Sequence, residues 1–121
     1  VPRAGLRIVN VAARTCEDVQ VVGILRVRRV ARLNHTDASN EDITAAGQAG
    51  KDRTSERAKT GTDRITAIKD RALAALENKD GSQEQIERVN QAAERASGRI
   101  GECEERVDGR IDEAVARAIG G

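Results

Sequence analysis

Residues 86–118, written in blocks of eleven, read IERVNQAAERA, SGRIGECEERV and DGRIDEAVARA. Arginine fills the third place of every block (Arg88, Arg99, Arg110) and the tenth (Arg95, Arg106, Arg117). The fourth place is Val89, Ile100 and Ile111, the seventh Ala92, Cys103 and Ala114, the eleventh Ala96, Val107 and Ala118. Eleven residues in three turns is about 3.67 per turn, slightly more than a straight α-helix. An apolar stripe with that period stays on one partner with a straight or gently right-handed supercoil. The pattern predicts an amphipathic helix over about 82–119. Arginines line one flank of the stripe, and Glu104, Asp108 and Asp112 line the other. Opposed flanks of this kind set register and orientation between neighbouring helices.

Asn78-Lys79-Asp80-Gly81-Ser82 precedes this helix. Gly81 suits a helix C-terminus, and Ser82 with Gln85 suits an N-terminal capping box. The segment before it is the first arm of a hairpin. Ile65, Ile68, Ala72 and Leu76 share one face, with Arg53, Arg64 and Arg71 at flanking places. Ser39 followed by Asp42 marks its start, so the first helix spans about 43–79 and the turn 80–82. Its first half is weak. Thr44 to Arg64 offers only Ala and Gly as non-polar residues, and Gly47, Gly50 and Gly61 each cost about 1 kcal/mol relative to Ala. That stretch is expected to fray or be disordered when free. A connection this short makes the two helices antiparallel.

Upstream lie a polar linker over 34–42 and a basic segment over 1–33. Residues 6–12 and 19–30 are rich in Val and Ile, with polar Arg14 to Asp18 between them. That composition favours a β-hairpin. The second run also fits a short basic helix, since Ile24, Val27 and Ala31 fall at helical spacing. The fold class expected is therefore mainly α: an antiparallel helical hairpin or coiled coil with an 11-residue repeat over 43–121, preceded by a small basic segment.

Charged residues make up 34 % of the 121 and hydrophobic residues 38 %, with no aromatic residue. Aromatics supply the largest buried areas of most cores. Without them the core reduces to a thin seam of Ile, Leu, Val and Ala. Such a monomer is marginal, so a homo-oligomer or a partner helix is expected. The expected seam is Ile65, Ile68, Ala72, Leu76, Val89, Ile100, Cys103, Val107 and Ile111.

Charge is unevenly spread. Residues 1–33 carry seven Arg against Glu17 and Asp18, a net +5, while the other 14 basic and 18 acidic groups give residues 34–121 a net −4. Arg26, Arg28, Arg29 and Arg32 form the densest cluster and are candidate contacts for nucleic-acid phosphates, which need no base readout. Single-strand binding is disfavoured by the missing stacking platforms. A membrane surface is the weaker partner, because the usual Trp or Phe anchors are missing.

No catalytic, cofactor or metal site is expected, and no small-molecule substrate. Gly47-Gln48-Ala49-Gly50-Lys51-Asp52 has part of a phosphate-binding loop but Ala45 and Asp52 stand where Gly and Ser/Thr are needed. His35 is the one histidine and lies in the polar linker. Cys16 and Cys103 have neither framework nor metal spacing, so reduced thiols and a cytoplasmic location are expected. Cys16 is placed in a turn. Cys103 sits in the seam, where a parallel dimer would bring it to its twin. The longest apolar run, Val21 to Leu25, is far below the ~20 residues that cross a bilayer.

The Ala/Glu/Asp/Arg/Lys-rich helices, above all Gly50 to Lys59, resemble late embryogenesis abundant proteins of the 11-mer class. The resemblance is compositional, is confined to residues 44–119, and implies a chain that becomes helical on drying or at membranes. Preference for Arg over Lys, Cys103, and the Ile/Val stripe after residue 86 depart from that class and favour a standing coiled coil. The general style is also similar to phage structural coiled coils. The function expected is a non-enzymatic structural or interaction protein. Nucleic-acid binding and conditional helix formation are the alternatives.

Overall fold

The computed structural model describes residues 2–120. They form three helices: α1, Pro2–Leu33; α2, Asn40–Asn78; and α3, Gln83–Gly120. Each helix packs on the other two. At about 1.5 Å rise per residue, the 32, 39 and 38 residues give rods of roughly 50–60 Å. The order is up-down-up, so α1 and α3 run parallel with α2 antiparallel to both.

Both ends of the α2–α3 turn close with paired backbone groups. Gly81 N–H donates to the Leu76 carbonyl at 2.6 Å and Asp80 N–H to that of Glu77 at 3.4 Å. This crossed pair is a Schellman closure. The left-handed residue in it is Asp80, at φ 52°, and not Gly81. Gly81 is needed for space, because a Cβ there would lie 2.9 Å from Leu76 Cβ. Ser82 and Gln85 then cap α3 reciprocally. Gln85 N–H donates to Ser82 Oγ at 3.2 Å, and Ser82 N–H to Gln85 Oε1 at 3.0 Å. At the other turn Ser39 caps α2, accepting from Asp42 N–H at 3.1 Å.

The β-hairpin expected within 1–33 is overturned, because α1 is one continuous helix and no strand occurs among the described residues. Its Val and Ile preference is worth little against burial of a whole helix face. Ile8, Ala12, Thr15, Val19 and Val30 are buried, and the 3–4 residue steps through Val19 are helical. Leu6, Val9, Val21, Ile24 and Leu25 are exposed, and it is these residues that blur the helical period in the sequence.

Gly47, Gly50 and Gly61 are also not the weak points they resemble. All three are buried on α2. A Cβ would strike Val115 at Gly47, Arg26 at Gly50, and Thr15 at Gly61. They bring the backbone of α2 close to α1 and α3. The rest of the core is aliphatic, with Ile8, Ile65, Ile100 and Ile111 its largest covered side chains. A second cluster of Val30, Ile43 and Ala118 seals the end at the α1–α2 turn.

Cys16 and Cys103 are bonded to each other, with their Cα atoms 5.6 Å apart. The reduced-thiol expectation is corrected here. Cys16 lies in the middle of α1 rather than in a turn, and the parallel neighbour that meets Cys103 is α1 of the same chain. No described helix is long and apolar enough to cross a membrane.

Candidate interaction surfaces

The expected seam residues are brought together inside one chain. Ile65, Val89, Ile100, Val107 and Ile111 are buried, while Ile68, Ala72, Leu76 and Cys103 are half-buried. The helix lying over them is α1.

The acidic flank of α3 meets α2, but through Lys and Thr instead of Arg. Lys51 Nζ is 2.9 Å from Asp112 Oδ1. This bond raises the Lys51 pKa above its ordinary value; burial opposes the rise, and the charges of Asp112, Asp108 and Asp52 add to it. Buried Thr54 has its hydroxyl 2.7 Å from Asp108 Oδ1 and 2.8 Å from the Lys51 carbonyl, donating to one at a time. One turn away, burial pushes the Glu104 carboxyl up, and the charges of Asp108 and Glu105 add to the shift.

The Arg26–Arg32 cluster is compact in sequence but divided in space. Arg26 turns to α2, where its stem covers Gly50. Burial first, then the Arg29 and Arg53 guanidiniums, lower its pKa from the ordinary arginine value. Arg28 borders the α1–α3 groove with Arg110 and Arg117, over Ile24, Val27 and Val107. Arg29 lies beside Arg26, with Leu25 and with Arg53 of α2, and also beside Arg32 and Leu33. Arg26, Arg29 and Arg32 therefore follow one side of α1, and Arg28 stands apart from them on the α3 side.

A second cationic surface lies toward the other end, between the first half of α1 and the second half of α2. Arg3, Arg7, Arg71 and Lys79 line a groove of about 590 Å³, floored by Ile68, Ala72 and Val89. It continues past Arg14 and Arg64, with Asp18 the one carboxylate along it. Sequence reading missed this site because it spans two elements, one of them read as strands. Its signal was present: Arg7 and Arg14, like Arg64 and Arg71, are seven residues apart and so share a face.

The phosphate-loop segment Gly47–Asp52 is interior to α2, where its N–H groups serve the helix. His35 is exposed in the α1–α2 turn. No group of His, Cys, Asp or Glu among the described residues could hold a metal. Compared with known proteins, the chain matches no family model, no curated protein and no solved structure.

Proposed function

We propose that this chain is a non-enzymatic interaction protein, a helical bundle that presents the outer face of α1 to a partner helix or to a second copy. The observation that carries the reading is where its large aliphatics are exposed. Leu6, Val9, Val21, Ile24 and Leu25 are 46–62 % exposed and all lie on α1, whereas among the described residues Ile119 is the one large aliphatic exposed on the other two helices. They form two groups along α1, Leu6 with Val9 and Val21 with Ile24 and Leu25, and clustered apolar exposure on a highly charged chain favours a contact surface. The flanking arginines select an acidic partner, and the net −4 of residues 34–121 makes the α2–α3 side of a second copy one such surface.

The 11-residue period serves in this reading as the shared register of the bundle. It is supported by three buried sets of that spacing: Ile8, Val19 and Val30; Ile43, Thr54 and Ile65; Val89, Ile100 and Ile111.

Mass determination over a concentration series tests self-association. A mass above that of the 13.0 kDa chain, lost when Leu6, Ile24 and Leu25 become Gln, supports the second-copy arm. A monomer at every concentration removes it and leaves a partner helix as the occupant.

A further inference from the structure

We propose that the α1–α2 groove lined by Arg3, Arg7, Arg14, Arg64, Arg71 and Lys79 binds the sugar–phosphate backbone of a nucleic-acid duplex without reading its sequence. This site is distinct from the Arg26–Arg32 cluster and from the aliphatic face of α1. All six cations are exposed, and none is ion-paired among the described residues. Among the described residues, Asp18 is the one carboxylate that lines the groove with them. The chain as a whole carries only +1, so bulk charge does not explain attraction, and the groove is a local excess.

Its dimensions suit a phosphate row. Arg3 to Arg14 spans about 16 Å of helix, long enough to meet more than one phosphate of a duplex strand. Two facing rows, one from each helix, follow a linear polyanion better than a point anion. Five of the six are Arg, whose planar fork pairs with phosphate oxygens in bidentate fashion. A duplex is the form selected, because single strands need aromatic platforms and the chain has none. A lipid surface fits less well. The aliphatic residues of the groove are its floor, with Val89 buried and Ile68 half-buried, while the cations stand outside them. An inserting surface needs the reverse order.

The test is fluorescence anisotropy with a short mixed-sequence DNA duplex over a salt series, on the full chain. Wild-type affinity is expected to fall linearly with salt on logarithmic axes. Each phosphate contact contributes about 0.9 to the slope, so R3Q/R7Q/R14Q lowers it by roughly 2 to 3, and R64Q/R71Q/K79Q does the same. Arg→Lys versions of each set should restore most of the slope, which separates charge from folding. R95Q/R99Q/R106Q removes equal charge from α3 and should leave binding unchanged. Absence of binding at low salt overturns the proposal. So does equal loss from the α3 set, loss from only one of the two groove sets, or tighter binding to phosphatidylserine vesicles than to duplex. The outcome is independent of the oligomer test, since a strict monomer can bind duplex and an oligomer can fail to.

Discussion

Single positions in this bundle differ sharply in what they tolerate. Asp80 holds the left-handed conformation that costs a side-chain-bearing residue about 1 kcal/mol and glycine almost nothing. Asp80→Gly is expected to stabilise by about that amount, read as a raised denaturation midpoint. The glycines divide into two kinds. Gly98 and Gly109 have open space where a Cβ would go, so alanine at either should add about 0.5–1 kcal/mol. At Gly61 the Cβ would strike buried Thr15, and Gly61→Ala should destabilise by about 1–3 kcal/mol. The same denaturation series compares all three. In sequence Gly61 looks no different from Gly98 and Gly109, because the neighbour that matters is 46 residues away on another helix. The raised pKa of Glu104 has a defined sign. The folded chain holds its proton to higher pH than the unfolded chain, so its contribution to stability falls as pH rises through 4.5 and stays unfavourable above the raised value. Glu104→Gln should therefore raise the denaturation midpoint slightly at neutral pH and flatten the pH profile just above 4.5. Lys51, raised by its bond to Asp112, contributes stability below 10.5 that is lost as pH rises through its folded value.

At the scale of elements, the bond between Cys16 and Cys103 ties α1 to α3 across 87 residues of sequence. In the unfolded-chain entropy model, closing a loop of that size contributes about 4–5 kcal/mol. Adding reductant, or replacing both cysteines by Ser, should lower the guanidinium midpoint accordingly. An unchanged midpoint would mean that the link does not restrain the unfolded chain. The α2–α3 hairpin was legible because its turn carries local chemistry: Ser82 with Gln85 for the cap, and the Asn78–Gly81 stop before it. α1 was not legible. Five exposed aliphatics interrupt its inner stripe, and Val and Ile content then weighs toward strand. Cys16 was misplaced for the same reason, and so was half of the cationic groove, whose rows cannot be paired until α1 is a helix beside α2.

For the whole molecule, the question is what covers the seam. A hairpin of α2 and α3 alone would leave Ile65, Ile100 and Ile111 to a second chain, and its helix content would fall on dilution. With α1 in place these side chains are at most 1 % exposed within one chain. Helix formation is then intramolecular, and mass action has no hold on it. Circular dichroism over a hundredfold dilution should keep a constant helical signal, even where a mass measurement shows an oligomer falling to the 13.0 kDa chain. Ile100→Asp sharpens the distinction. A carboxylate at that position has no partner and no water, at a cost of several kcal/mol, comparable with the whole stability of a small domain. The expected result is loss of helix in the monomer itself, at every concentration. A variant that stayed helical and only failed to assemble would place Ile100 between chains, and α1 would not be its cover.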